Sequence, residues 1–330
     1  MKAIKSIGIW SASQAWSVTN ALARTFVNRR PNDAVDLGVQ TISVGNVQAG
    51  GAGKTPLVRV VAQECIDRGF RVCILSRGYR GAWEKNPHAL QPKENSSEVV
   101  VASECGDEVA LLRELLPRVW FGVGANRIAA FHLAQSALPP GAKFDRVILD
   151  DGLQHWKIRR DLDLIAVTSD RPHERVFRES LSRLVRGYPS KALWIWTKGE
   201  CSPFENLADV PDFEKSTCKA RFRLKLPPGL LPGATVWSVC GIADPQRFHE
   251  SLASLGLHVS RHFTFSDHHD YRRESLEEIF TLAKNAGAPL VTTGKDSVKW
   301  SELGFKEFSV LEPDLEWEWG RENWENALWR

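Results

Sequence analysis

The sequence predicts an α/β protein: a parallel sheet with helices on both faces, then a smaller α/β domain reached through a connecting β-strand. Three features of the 330 residues lead there. The apolar run Gly38 to Val44 enters a glycine-rich turn closed by Lys54-Thr55, and Leu57-Val58-Arg59-Val60-Val61-Ala62 then starts a helix. Short, mostly apolar runs alternate with helical segments from there to Thr197, as strands buried on both faces require. The stretches Pro227-Pro228-Gly229 and Pro232-Gly233 mark a boundary, after which a second βα series begins.

Composition narrows the function classes. With 43% hydrophobic and 25% charged residues the chain has an ordinary core. A net charge of +3 without a Lys/Arg tract argues against nucleic acid. Six cysteines (Cys65, Cys73, Cys105, Cys201, Cys218, Cys240) include no C-x-x-C pair, which suits free thiols in a reducing compartment better than disulfides or zinc. No obligate protein partner is implied.

Residues 1–35 carry Lys2 and Lys5, an uncharged stretch from Ser6 to Ala23, then Arg24, Arg29 and Arg30. No small-residue cleavage site stands out, and Ser, Gln, Thr and Asn make the stretch too polar to span a bilayer. Ile9, Ala12, Trp16 and Ala23 fall near one helical face. A helix basic at both ends, with Trp10 and Trp16 at headgroup level, suits a membrane interface; packing on the protein's own core suits it equally.

The turn Val44-Gly45-Asn46-Val47-Gln48-Ala49-Gly50-Gly51-Ala52-Gly53-Lys54-Thr55-Pro56 organises the rest. Between strand and helix, its backbone N–H groups and the helix dipole face a polyphosphate. Lys54 reaches the β- and γ-phosphates, and Thr55 offers its hydroxyl to Mg²⁺. Gln48 stands where G-x-x-x-x-G-K-[ST] expects glycine, while Gly50, Gly51 and Gly53 keep the needed backbone freedom. Gly50, Gly51, Ala52, Gly53, Lys54 and Thr55 form the nucleotide-binding set of a P-loop NTPase-type domain over 36–218, with 219–330 as the smaller domain.

The remaining elements follow in order. A helix over Thr55 to Arg68 leads to a strand, Phe70 to Leu75, ending in Ser76-Arg77-Gly78-Tyr79. Pro87 to Glu98 reads as a loop and Val99 to Ala102 as a short strand. A helix opens at Cys105-Gly106-Asp107-Glu108. The strand Arg118 to Val123 precedes Gly124-Ala125-Asn126-Arg127 and a helix. Phe144 to Leu149 is an apolar strand capped by Asp150-Asp151-Gly152-Leu153-Gln154-His155. Asp163 to Thr168 and Ala192 to Thr197 add two strands, and Ala220 to Leu226 connects. Strands over Thr235 to Cys240, Leu257 to Phe265, Pro289 to Thr293 and Lys306 to Leu311, with helices over Gln246 to Leu255 and Glu274 to Ala286, build the second domain. Trp324 and Leu328 share a helical face in the tail, leaving open an interfacial role or packing on the second domain.

A phosphate loop needs an acid for its metal. Asp150 and Asp151 follow an apolar strand, where a carboxylate holds Mg²⁺ near Thr55. Asp107 lies on the same sheet edge, placed to accept a hydroxyl proton during phosphoryl transfer, and His268 of Asp267-His268-His269-Asp270 can tune such a carboxylate.

Together these blocks resemble the tetraacyldisaccharide 4′-kinase family, the lipid A 4′-kinases of Gram-negative bacteria. The matching pieces are the phosphate loop, Ser76-Arg77-Gly78-Tyr79, Gly106-Asp107-Glu108, Asn126-Arg127 and Asp150 to His155. In the second half they are Gly241-Ile242-Ala243-Asp244-Pro245 with Phe248, Asp267-His268, and Thr292-Thr293-Gly294-Lys295-Asp296. The resemblance implies an enzyme on the cytoplasmic face of the inner membrane, held peripherally. It would move the γ-phosphate of ATP, with Mg²⁺, to the 4′-hydroxyl of a tetraacylated glucosamine disaccharide 1-phosphate, giving lipid IVA. By the same resemblance Asp107 is the base paired with His268 across a cleft, and Lys54, Thr55, Asp150 and Asp151 serve phosphates and metal. Gln154, Arg127 and Glu108 support the site, Glu108 within the metal set. The family's Leu-Pro-x-Gly-x-Leu-Arg-Glu stretch is reduced here to Arg178-Glu179.

Two rival readings compete with this one. A GTP-hydrolysing switch or metallochaperone would use Thr197-Lys198-Gly199-Glu200 to read guanine, but Glu200 replaces the aspartate that meets the base edge. A non-catalytic scaffold would not need Lys54, Thr55, Asp107 and both aspartates intact.

Overall fold

The computed structural model describes residues 2–27, 34–49, 51–168, 176, 178, 191–198, 214–242 and 244–330. Two sheets organise them. The larger has nine strands in the order β13-β8-β7-β6-β1-β5-β2-β4-β3. Its central members are β1 (Gln40–Asn46), β2 (Val72–Ser76), β4 (Trp120–Val123), β5 (Arg146–Asp150), β6 (Leu162–Val167) and β7 (Lys191–Trp196), all parallel. β3 (His88–Leu90) closes one edge antiparallel to β4. At the other edge β8 (Thr217–Leu224) runs parallel to β7, and β13 (Pro313–Trp319) runs antiparallel to β8. Six of the seven β1 residues and all of β6 are buried, as strands covered on both faces must be.

The covering helices include α2 (Lys54–Asp67), α3 (Ala102–Cys105), α4 (Asp107–Leu115) and α5 (Arg127–Ser136). Leu57, Val58, Val61, Ala62 and Cys65 of α2 seal one face against Ile42, Ile74 and Ile148. Phe131 and Ala134 of α5 seal the other against Cys73, Val147 and Leu149. The smaller sheet is parallel, in the order β10-β9-β11-β12, from β9 (Thr235–Cys240), β10 (His258–Thr264), β11 (Leu290–Thr293) and β12 (Ser309–Leu311). Its helices are α6 (Pro245–Ser254), α7 (Arg273–Asn285) and α8 (Gly294–Glu302).

Several expectations need correction. The boundary at 218/219 does not follow the sheets: β8, β13 and the last helix, α9 (Arg321–Trp329), all belong with the larger one. The tail therefore packs on the first domain, not the second; Trp324 is fully buried and its indole N–H donates to Glu64 of α2. Val99 to Ala102 is no strand, since Ala102 already begins α3, and β3 lies inside the stretch expected to be loop. Cys65, Cys73, Cys105, Cys218 and Cys240 are free and buried, as expected; Cys201 lies outside the described residues.

The N-terminal helix α1 (Lys2–Val27) is real, but its faces differ from the expected ones. Ser13 is buried, and Ile9, Ser17, Asn20 and Ala23 are half-buried; Asn20 donates to the Arg178 carbonyl. Ile7, Trp10, Trp16, Val18 and Leu22 are exposed. Apart from Ile9, the helix thus turns small and polar residues inward and bulky apolar ones outward. Among the described residues no helix is long and apolar enough to cross a membrane.

Candidate active site

The phosphate loop is held from both sides. Gln48, in the place of a signature glycine, is buried, and its Oε1 accepts from the Thr168 N–H at 2.7 Å and hydroxyl at 2.9 Å. Thr197 Oγ1 donates to the Ala52 carbonyl at 3.0 Å, and Lys198 to that of Gly51. Thr197 and Lys198, the residues that would read guanine in a GTPase, thus pin the loop; Glu200 and Gly50 lie outside the described residues. Gly53 has φ 77° and caps α2; a Cβ there would sit 2.1 Å from the Phe222 ring of β8. No side chain caps α2 and no acid occupies its first turn, so its open N–H groups are free to meet an anion.

Opposite the loop, β5 delivers Asp150, which is buried and accepts from Ser76 Oγ at 2.9 Å. Burial, and next the negative charge of Glu108, pushes its carboxyl up to about 6. Lys54 lies 3.4 Å from Asn46 Oδ1 and 3.6 Å from Asp151. Arg178 donates to Asn46 Oδ1 and lies 3.4 Å from Asp151. Gln154 Nε2 donates to the Asn46 carbonyl at 3.3 Å. The Arg127 guanidinium is buried, donates to the Gly124 carbonyl at 2.7 Å, and is pushed down to about 10 by that burial against the pull of Asp150.

Asp107 is the first residue of α4, after Gly106 at φ 84°, where a Cβ would sit 2.9 Å from the Tyr79 carbonyl. His268 reaches it from the other lobe: Nδ1 lies 2.7 Å from Asp107 Oδ2. The second-half motifs hold that histidine. Buried Asp296 accepts from the Gly241 N–H, the Tyr271 hydroxyl and Thr293 Oγ1, and the His268 N–H donates to the Gly241 carbonyl at 3.2 Å. Lys295 pairs with Glu108 at 2.7 Å, a second bridge between the lobes.

Lys54, Asp107, His268, Asp150, Asp151, Gln154, Arg127 and Glu108 line one cavity of about 570 Å³. Gln154 and Arg178 also line it, and among the described residues Gln154 Oε1 and Arg178 Nε are buried without a hydrogen-bond partner. Gly51 to Thr55 instead line a neighbouring cavity of about 320 Å³ walled by Leu111, Leu115, Ile242 and Leu311. Lys54 and Glu108 face both. Among the described residues no three His, Cys, Asp or Glu form a ready metal cage. The donors still fit Mg²⁺, which takes one or two carboxylates plus phosphate oxygens and water. Asp150, crowded by negative neighbours, is the carboxylate such an ion would relieve.

Sequence reasoning undervalued three residues: Arg178, Asn46 and Lys295. Arg178 had no interpretable motif around it. Asn46 and Lys295 stood inside quoted motifs, and only the fold shows what they touch. Glu179 lies outside the described residues.

The profile of the family described as "Tetraacyldisaccharide-1-P 4'-kinase" matches residues 6–330. The chain belongs to this family. A tetraacyldisaccharide 4'-kinase of Halothermothrix orenii is 32% identical over 307 residues, covering 83% of this chain and 77% of the relative. One from Geobacter metallireducens is 35% identical over 290 residues, covering 83% of each. Among solved structures, the "apo" form of LpxK from Aquifex aeolicus in complex with ATP superposes with a TM-score of 0.77 at 28% identity, over 98% of both chains. The fold of a tetraacyldisaccharide 4'-kinase family member is thus the α/β architecture expected from the sequence, and the GTPase alternative is not favoured.

Proposed function

We propose that this protein is an ATP-dependent kinase that phosphorylates the 4′-hydroxyl of tetraacyldisaccharide 1-phosphate in lipid A biosynthesis. The observation that carries the site assignment is the Asp107–His268 bond across the lobes, beside Lys54 and Asp150 in one cavity. Asp107 accepts the proton of the acceptor hydroxyl as its oxygen bonds to the γ-phosphorus and the bond to the β–γ bridging oxygen breaks, releasing ADP. His268 donates to one oxygen of Asp107 and leaves the other facing the hydroxyl. Lys54 and the open N-terminus of α2 hold the β- and γ-phosphates, and Arg127, Gln154 and Arg178 line the acceptor side. The apolar cavity beside Gly51 to Thr55 suits the adenosine. Mg²⁺, held by Thr55 and Asp150 with Asp151 and Glu108 nearby, would offset phosphate charge when bound. Incubating the protein with ATP, Mg²⁺ and the detergent-dispersed disaccharide lipid should yield product heavier by one phosphate; unchanged lipid would overturn the proposal.

Asp150 carries a stability signature. Its carboxyl is raised to about 6, so ionisation opposes folding of the ligand-free protein, a penalty that builds from about pH 4 and is full above about pH 6. Asp150→Asn should therefore raise the melting temperature at pH 8, by about 2–6 °C, while abolishing transfer. The gain should fade as pH falls toward 4. Calorimetry across pH reads it, and a lower melting temperature at pH 8 would contradict it.

The exposed apolar residues of α1 support a peripheral seat on the membrane surface, at the cytoplasmic face of the inner membrane where an acylated acceptor resides. Ile7, Val18 and Leu22 return to one helical face, with Trp10 at its margin. Deleting residues 1–30 should move the protein to the soluble fraction with ATP binding retained. Continued sedimentation with membranes would place the anchor elsewhere.

A further inference from the structure

A further cavity between the lobes, about 370 Å³, lies along α4 and α8 away from the phosphate loop. Arg113 of α4 is part of its wall, only 4% exposed. Its Nε and Nη2 are buried and meet no acceptor. Each acid of the cavity is engaged elsewhere. Glu114 pairs with Lys93, Glu98 lies 3.4 Å from His88, and Glu302 accepts the Ala102 N–H at 2.6 Å. A buried guanidinium whose N–H groups lack acceptors is costly for a fold to keep. The cavity also exposes the hydroxyl-bearing Ser97 and Ser301, with apolar walls from Val100 and Val298.

We infer that this cavity is a binding site for a small oxyanion of the phosphate class, gripped by the Arg113 fork. The guanidinium offers N–H donors that match a phosphate oxygen pair, and Ser301 supplies a hydroxyl from the opposite lobe. The inference goes beyond the kinase reading, because neither nucleotide nor acceptor needs this cavity.

Its position gives occupancy a consequence. α4 starts with Asp107 and Glu108, and α8 starts with Gly294 and Lys295, the partner of Glu108. Arg113 sits six residues, about 9 Å, along α4 from the proposed base. A Cβ on Gly294 would lie 3.0 Å from Leu111 of α4, so the two helices meet closely at the site end. An oxyanion between Arg113 and Ser301 would clamp the same helix pair farther along. It would favour the closed arrangement in which His268 meets Asp107.

The test is phosphate binding to the full chain with the nucleotide loop filled by the Mg²⁺ complex of a non-hydrolysable ATP analogue, which occupies both the β- and γ-phosphate positions and so removes the competing phosphate site. Titration calorimetry with inorganic phosphate, and separately with glycerol 3-phosphate, should show one site. Arg113→Met, which keeps the side-chain bulk, should weaken it by roughly ten- to a hundredfold, and Arg113→Lys by less. Ser301→Ala should weaken it too and gives a second reading if Arg113→Met folds poorly. No phosphate binding in the wild type, or equal binding in Arg113→Met and Ser301→Ala, would overturn the inference. So would strong coupling between Arg113→Met and Glu302→Gln in a stability cycle without phosphate, since Arg113 would then be satisfied by Glu302 in solution. Because the readout is binding, it fails or succeeds independently of lipid phosphorylation.

Discussion

Asp107→Asn should lower phosphate transfer by about 10²–10⁴-fold with ATP binding nearly unchanged. The amide keeps the shape of the carboxylate and its place at the start of α4, but it cannot take the acceptor proton. His268→Ala should cost a similar factor, because the 2.7 Å contact to Asp107 is what holds that carboxylate in place. The double variant should be little worse than either single one, as for residues that act as a unit. Steady-state rates for the four proteins settle the matter. Multiplicative losses would mean that His268 works apart from Asp107, and near-normal transfer by Asp107→Asn would remove the base.

Lys54→Ala should have the second large effect, and of a different kind. Lys54 faces both cavities, so its loss strikes phosphate binding and the charge that builds during transfer together. ATP affinity should fall by roughly ten- to a hundredfold and turnover by about 10²–10³-fold. The fold should survive, because Asp151 keeps Arg178 at 3.4 Å once Lys54 is gone. Nucleotide titration with a melting curve separates these effects; unaltered ATP affinity would relocate the triphosphate.

The sequence disclosed the parts of this site whose chemistry is local. Lys54, Thr55 and Asp150 sit at fixed offsets from strands with unmistakable apolar patterns, and β9 was read at its true bounds, Thr235–Cys240. Local pattern failed where long-range contact decides. Pro313 and alternating Asp and Glu disguise β13, whose acids pair with Lys219 and Arg223 of β8 and with Lys225 just beyond it. α8 was overlooked because it starts at Gly294, straight after a strand, with Thr293 as its cap. For α1 the apolar periodicity identified a helix, but which face meets the protein depends on contacts such as Asn20 with Arg178. The same holds for Arg178 itself, whose value lies in touching Asn46 and Asp151.

The antiparallel pair β8–β13 bears on how the chain matures on the ribosome. The small lobe is inserted between these two neighbours, so its sheet emerges from the exit tunnel complete while the larger one still lacks its edge. β13 and the helix whose Trp324 and Leu328 seal that edge are translated only after the small lobe. A nascent protein released before residue 313 would leave Cys218 and Phe222 uncovered, an apolar surface that β13 and the helix after it otherwise hide.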